Sequence, residues 1–336
     1  MNIAIDTTPL NAAHGGRGVG SYTRNLIEAL QKYESQHSYK LFTRIQKVPK
    51  DVDLVHYSYF DPFFLTLPMN KPKPTVVTVH DLIPLIFPDR FPPGIRGSFK
   101  WRLQKLSLVG AKRIITDSKN SAHDIVRILG FPDDRIDVVY LAPAPGFTAI
   151  PESSSKRPFV LYVGDVNWNK NIPGLLEGFS KVADVDLVLV GGAFMDMKLK
   201  ETKEINRLIT VLGIGGRTRN VGYVSQNELR ALYSTAACLV QPSFYEGFGL
   251  PVLEAMACGC PVVSTRNSSL SEIAGPAIEI TTDAQSIADG IHIALGLNRS
   301  TQVNEQFKWL EQFSWQKTAA LTVAAYEKAV NNHTSL

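Results

Sequence analysis

The stretch from Cys238 to Val263, CLVQPSFYEGFGLPVLEAMACGCPVV, sets two carboxylates, a glycine loop and a helix start between two apolar segments. Cys238 to Gln241 reads as a short buried strand ended by Pro242. Gly247 and Gly249 permit a tight turn, and Pro251 suits the first turn of a helix, where its missing N–H costs nothing. That helix is predicted from about Pro251 to Cys258. The amides of Gly247, Phe248, Gly249 and Leu250 then have no intrahelical partners, and the helix dipole adds partial positive charge, a combination suited to an anion. Glu246 precedes the loop and Glu254 lies one turn inside the helix, so both carboxylates can face one pocket. Beside a phosphate they would repel it unless they face neutral hydroxyls, which carboxylates accept in pairs. The residues therefore point to sugar: Glu254 to a ribose diol, Glu246 to the hydroxyls of a transferred sugar or to its developing positive charge. The plainer assignments are a Glu254 that complements the helix start and a Glu246 solvated on its loop.

This stretch resembles the glutamate–seven–glutamate signature of glycosyltransferase family four, the retaining, metal-independent GT-B enzymes, and the similarity continues through STRNSSLSEIAG at Ser264–Gly275. The resemblance covers most of the chain and is strongest from Val160 to Gly275. It implies an α/β chain with the GT-B fold, two Rossmann-like parallel-sheet domains facing across a cleft. It also implies Glu254 at the nucleotide ribose, Gly247–Gly249 amides around sugar hydroxyls and phosphate, and Glu246 at the sugar ring.

Other residues fall into the same frame. His80 follows TVVTV, at the carboxyl end of a strand, where open α/β sheets place ligands. HDLIP resembles a segment of mannosyltransferase-like family members. His80 is accordingly assigned to the exocyclic hydroxyl of the donor sugar, and Asp81 to orienting His80 or the adjacent loop. The glycines of AAHGGRGVGS follow their strand at the wrong spacing for a dinucleotide fingerprint. Relatives carry a similar loop near the donor phosphate or the acceptor, which makes Gly18 and Gly20 candidates, with Ser21 as the helix cap. Lys170, in the loop after FVLYVG, can reach a diphosphate. Family members pair that lysine with an arginine where this chain has Asp165; Arg17 or Arg217 could supply the second charge if the fold brings either close. The resemblance further implies that backbone near Val221–Val224 lies by the nucleotide base.

Short apolar runs at Asn2–Ile5, Lys40–Phe42, Leu54–Tyr57, Thr75–Val79 and Arg113–Thr116 alternate with helical patterns, as a parallel sheet requires. The runs FVLYVG, VDLVLVGG, CLVQ and PVVST repeat the scheme. The helix in TDSKNSAHDIVRILG is expected to be capped by Ser121 or Asn120, and Ser225 and Ser314 should cap later helices. A proline-rich segment near Pro143–Pro158 marks a boundary between residues 1–150, an acceptor-side domain, and residues 157–310, a donor domain. The resemblance implies that a last helix, about 314–330, crosses back onto the first domain.

With 44% apolar and 20% charged residues the composition is that of a globular protein. No apolar run is long enough to span a bilayer, and MNIAIDTTPL lacks the features of a secretion signal. Cys238, Cys258 and Cys260 lack metal-ligand spacing, so buried reduced thiols in the cytoplasm are expected. Residues 1–150 hold 19 Lys/Arg against 13 Asp/Glu, a balance of +6, whereas the remainder holds 16 against 18, or −2. That excess is too thin for nucleic acid. It leaves open a peripheral contact with the inner face of a membrane through the 96–106 helix, where Phe99, Leu103 and Leu106 form a stripe and Arg96, Lys100, Arg102, Lys105 and Trp101 crowd the rest.

The reading that unites these features is a retaining hexosyltransferase. Its donor would be a nucleotide-diphosphate sugar, GDP-mannose favoured by HDLIP and a UDP-sugar as the alternative, and its acceptor a glycan or lipid-linked sugar. No acidic pair has metal-site spacing, so no cofactor or metal is expected and Lys170 with the loop amides would neutralise the leaving diphosphate. Two other classes fit the same features, a nucleotide-sugar epimerase and a nucleotide-sugar-binding protein without turnover.

Overall fold

The computed structural model describes residues 1–11, 18–150 and 157–331. They form two compact units, one of residues 1–142 together with the segment that begins at Phe313, the other Pro143–Gln312. In the first, β1 (Asn2–Asp6), β2 (Ser38–Phe42), β3 (Leu54–Tyr57), β4 (Thr75–Thr78), β5 (Arg113–Thr116) and β6 (Ile136–Val138) make a parallel sheet in the order β2-β1-β3-β4-β5-β6. Every residue of β3, β4 and β5 is buried, as strands covered by helices on both faces must be.

Helix α1 (Gly18–Tyr33) buries Tyr22, Leu26 and Leu30 at one-turn spacing. It begins earlier than its serine suggested. Gly18 and Gly20 already lie in its first turn and Ser21 is inside it, so these glycines are helical residues and Ser21 is no cap. Arg17 and Gly15 lie outside the described residues.

Helix α2 (Gly94–Val109) leaves Phe99 and Leu106 of its apolar stripe on the outside. It buries Gly97, Gln104, Ser107 and Leu108, Trp101 packs on the core, and Ile95, Phe99, Leu106 and Val109 stay exposed. Polar contacts hold the buried face. Gln104 Oε1 accepts from the Thr66 amide at 2.8 Å, the Thr66 hydroxyl at 2.8 Å and the Leu67 amide at 3.0 Å, while its Nε2 donates to the Leu67 carbonyl at 3.2 Å. Ser107 Oγ donates to the Pro68 carbonyl at 2.7 Å. A shorter helix, α3 (Lys119–Asp124), is capped by Ser118, whose side chain accepts from the Ser121 amide, and not by Ser121 or Asn120.

In the second unit β7 (Phe159–Val163), β8 (Asp186–Val190), β9 (Thr218–Gly222), β10 (Cys238–Gln241), β11 (Val262–Ser264) and β12 (Ile278–Glu279) form a second parallel sheet, ordered β12-β11-β10-β7-β8-β9. The chain runs outward from β7 to β9 and returns to β10 on the other side of β7. Loops leaving β7 and β10 therefore diverge to opposite sides and open a crevice at the strands' carboxyl ends, the place where such sheets take ligands. Helices α4 (Ile172–Ser180), α5 (Gln226–Thr235) and α6 (Leu250–Ala257) follow β7, β9 and β10. Ser225 caps α5 in a capping box with Glu228. Cys238, Cys258 and Cys260 are buried free thiols.

The C-terminal helix, Trp315–Asn331, packs against α1 and β3–β5 in the first unit. Ser314 Oγ accepts from the Lys317 amide at 3.2 Å. Tyr326 ties the helix down through a 2.8 Å hydrogen bond between its hydroxyl and His56 Nδ1. Burial pushes the His56 ring down to about 3, with the nearby His80 adding to the effect, so His56 is neutral at physiological pH.

Gln104 is buried polarity that the docking of α2 needs. Gln104→Leu would leave the Thr66 and Leu67 amides without their acceptor, and it should destabilise the protein by about 1–3 kcal/mol in urea unfolding.

Candidate active site

Lys170 ends a short 3₁₀ turn, Trp168–Lys170, after β7. Its neighbours fix that turn to the loop that follows β10. Asn169 Nδ2 donates to the Tyr245 carbonyl at 2.9 Å and its own carbonyl accepts from the Phe244 amide at 2.8 Å. Asn171, left-handed at φ 55°, donates from Nδ2 to the Pro242 carbonyl at 3.1 Å and to the Thr282 carbonyl at 2.8 Å. Trp168 stacks on Phe244 with ring centroids 4.9 Å apart. Asparagine suits the left-handed position better than a residue with a longer or branched side chain.

Lys170 and Glu246 meet across this crevice, Nζ to Oε2 at 2.6 Å. Glu246 is only 6% exposed, which replaces the solvated-loop assignment with a buried one. The carboxylate takes two more donors on its other oxygen, Gln241 Nε2 at 2.7 Å and Ser243 Oγ at 2.7 Å. Its backbone is held as firmly. The Glu246 amide donates to Ser268 Oγ at 2.7 Å, and Ser269 Oγ donates to the carbonyls of Glu246 and Phe248, both at 2.9 Å. A buried carboxylate with three donors satisfies the rule that interior charge must be paired and hydrogen-bonded.

The loop then passes Gly247, the buried Phe248 and Gly249 into α6. Gly249 has φ 113°, and a Cβ there would come within 2.8 Å of Leu270 Cδ2, so two separate constraints demand glycine. No side chain caps α6, and Pro251 sits in its first turn with Leu250 before it. The helix start thus keeps the electrostatic character that favours an anion. Glu254 lies beyond that first turn and accepts from the Tyr233 hydroxyl of α5 at 3.2 Å. Burial pushes the Glu254 carboxyl up to about 7, against a smaller lowering by Tyr233.

The first unit gathers its own polar cluster at the carboxyl ends of β4 and β5. His80 Nδ1 and Asp117 Oδ2 are 2.6 Å apart, and the edge of Tyr22 on α1 meets the His80 ring at 4.6 Å between centroids. Asp117 is thus the carboxylate bonded to the histidine, while Asp81 Oδ1 accepts from the Ile83 amide at 3.0 Å and shapes the following loop, the second of the two roles expected of it. Burial is the largest single influence on the His80 ring and pushes it down, but the charge and hydrogen bond of Asp117, with Asp81 and Ser58, hold it above its usual value. His80 Nε2 is buried without a hydrogen-bond partner.

Arg217 does not supply a second cation. It precedes β9, at the amino edge of the sheet, and donates to the carbonyls of Val182 at 2.5 Å and of Phe179 and Ser180 at 3.3 Å, where α4 ends. It stabilises a helix terminus on the edge opposite Lys170. Asp165 Oδ1 accepts from the Val166 amide at 2.8 Å and its carbonyl accepts from the Tyr162 hydroxyl at 2.9 Å. The sequence reading missed Gln241, Ser243, Asn169, Ser268, Ser269 and Asp117. Two of these carry a signal: Gln241 is a polar residue closing an apolar strand, and Asp117 follows RIIT by the same positional rule that singled out His80.

Two family descriptions match the chain, Glycosyltransferase Family 4 over residues 21–142 and Glycosyl transferases group 1 over residues 147–307. O-antigen chain mannosyltransferase B of Escherichia coli is 33% identical over 237 residues, 67% of this chain and 61% of that protein. The match thus spans less than two thirds of that relative's length. Among solved structures, sucrose-phosphate synthase from Thermosynechococcus elongatus superposes with a TM-score of 0.78 at 20% identity, covering 97% of this chain and 98% of that one. Anabaena HepE in complex with UDP-glucose gives 0.71 at 17% identity, covering 100% and 99%. Both likenesses establish the GT-B fold.

The Glu254 environment makes a prediction of its own. Carboxyl NMR should find one group titrating at about 7, absent in Glu254→Gln. Because the tyrosine hydroxyl stabilises the charged form, Tyr233→Phe should move that titration to higher pH.

Proposed function

We propose, from the premise that this chain is a GT4-type glycosyltransferase, that it transfers a mannosyl residue with retention from a nucleotide-diphosphate sugar to a glycan or lipid-linked acceptor in polysaccharide synthesis. The observation that carries the reading is the 2.6 Å approach of Lys170 to Glu246 at the switch point of the second sheet. A nucleotide-diphosphate sugar presents a diphosphate and a hydroxylated ring side by side, and these two side chains offer a cation and a carboxylate side by side. Similarity to a protein named mannosyltransferase supports mannose, and the HDLIP segment favours GDP-mannose over a UDP-sugar.

In the proposed reaction the bond between the sugar's anomeric carbon and the diphosphate oxygen breaks, and its electron pair leaves with the diphosphate. Lys170 and the amides of Gly247–Leu250 stabilise that charge without a metal or other cofactor. Glu246 faces the ring as positive charge develops on it. The acceptor oxygen bonds the anomeric carbon on the departing side, and its proton passes to a phosphate oxygen. Glu254 accepts from the ribose diol, and the sugar's exocyclic hydroxyl is the partner proposed for His80 Nε2. For Gly18 and Gly20, in the first turn of α1, the proposed ligand is the donor phosphate or the acceptor.

The exposed face of α2 supplies a reading of where this happens. Ile95 is 92% exposed, and Phe99, Leu106 and Val109 are all above 60%; exposed Arg102 lies among them on the same face, and exposed Arg96 and Lys105 flank it. No described helix is long and apolar enough to cross a membrane. An apolar stripe with a basic border instead suits the surface of an anionic bilayer, the inner leaflet if the acceptor is lipid-linked there.

Incubation with GDP-mannose, UDP-glucose and their GDP-glucose and UDP-mannose counterparts tests the donor, with product configuration read by NMR. GDP-mannose should give the fastest transfer and an unchanged anomeric configuration; an inverted product or a UDP-sugar preference would contradict the reading. Glu246→Gln should lower kcat by about 100-fold and leave nucleotide affinity within about threefold. Lys170→Ala should weaken the nucleoside diphosphate far more than the nucleoside, and equal losses would contradict a charge role. A ribose diol needs Glu254 ionised, so affinity for the nucleotide sugar should rise as pH passes upward through about 7, and Glu254→Gln should abolish that rise. On vesicles, Phe99→Ser with Leu106→Ser should release the protein from anionic lipid at low salt; binding that ignores both substitutions would contradict the α2 contact.

A further inference from the structure

Gln241 is the last residue of β10 and is 1% exposed. The other three residues of that strand, Cys238, Leu239 and Val240, are buried and apolar, and a fourth apolar residue would complete the run. The glutamine instead brings a polar amide into the interior. Its Nε2 donates to Ser243 Oγ at 3.0 Å and to Glu246 Oε1 at 2.7 Å. Its Oε1 is buried with no hydrogen-bond partner. The opposite amide orientation would set that oxygen against the carboxylate, so the acceptor on Glu246 fixes which way the group points.

A buried carbonyl oxygen without a partner lowers stability, and a residue present for stability alone would not leave one. The amide is aimed at one target at the expense of its other half. Ser243 Oγ, which accepts from Gln241, donates in turn to the same Glu246 oxygen at 2.7 Å. Two donors therefore hold Oε1 from the strand side, and Oε2 is the oxygen turned to Lys170.

We propose that Gln241 is a positioning residue for the transfer reaction: with Ser243 it clamps Oε1 of Glu246 so that the carboxylate keeps one orientation toward the sugar when Lys170 is drawn to the diphosphate. This rests on the glycosyltransferase reading above. While no ligand is bound, Lys170 helps to orient Glu246. A diphosphate competes for the same ammonium group, and the clamp on Oε1 is what then remains. The loss of Gln241 is therefore felt in turnover and not in the assembly of the unliganded site.

Gln241→Met keeps the length and bulk of the side chain and removes both polar atoms. It should lower kcat at least tenfold, leave KM for the donor within about twofold, and leave Tm equal to or above that of the unaltered protein. Gln241→Glu supplies the matching control, because its carboxylic acid donates one hydrogen bond when protonated and repels Glu246 when ionised. Its kcat relative to the unaltered enzyme should therefore climb as pH falls from about 8 to about 6. A Gln241→Met enzyme with kcat within twofold of the unaltered one, a lowered Tm accompanying the lost activity, or a loss confined to KM would overturn the proposal. Absence of transfer by the unaltered protein on every donor would overturn the reading beneath it, and that result is distinguishable because it needs no variant.

Discussion

A cation and a carboxylate share one largely buried crevice at 2.6 Å, and most of what is particular about the second unit follows from that pair. Taking two charges out of water costs several kcal/mol per ion, and a buried pair recovers this only with good geometry and further hydrogen bonds. The surroundings provide both. Asn169 and Asn171 peg the lysine's turn to the opposing loop, Gln241 and Ser243 bond the glutamate, and Ser268 and Ser269 fix its backbone. Stability alone would favour apolar residues of similar volume here. On the proposed function, the polar arrangement is the expense of holding two opposite charges ready for a ligand that carries complementary groups next to one another.

The sheet makes the meeting possible. Strand order reverses between β7 and β10, so loops from two distant parts of the sequence, around residues 170 and 246, emerge side by side. Gly249, at φ 113°, then turns the chain into α6 three residues after Glu246. The first unit uses the same physics with different chemistry: its strands also deliver polar residues at their carboxyl ends, and His80 and Asp117 form a hydrogen-bonded pair there with Tyr22 against the ring.

Much of this was legible before any coordinates. The strands at Leu54–Tyr57, Arg113–Thr116 and Cys238–Gln241, the turn at Gly249 and the helix after Pro251 follow from local apolar runs and from backbone constraints that a sequence displays directly. What stayed hidden depends on partners remote in the chain. Nothing near Gln104 in sequence announces that it will bond residues 66 and 67, so apolar spacing alone does not reveal which face of α2 is buried. Arg217 is kept from Lys170 for a related reason: whether a loop lies at the carboxyl or the amino edge of a sheet depends on strand direction, and residue 217 comes before its strand. Of the two roles open to Asp81, the loop is the one its hydrogen bond to the Ile83 amide shows, while Asp117, 37 residues away in sequence, is the carboxylate bonded to the histidine.

The central claim is that Lys170 and Glu246 act as one unit on neighbouring parts of the same ligand. A double-mutant cycle on kcat/KM for donor transfer, using Lys170→Ala, Glu246→Gln and the combined variant, measures this directly. The account predicts strong non-additivity, with the combined variant no more than about threefold worse than the poorer single variant. Losses that multiply, so that the combined variant falls by the product of the two single effects, would contradict it.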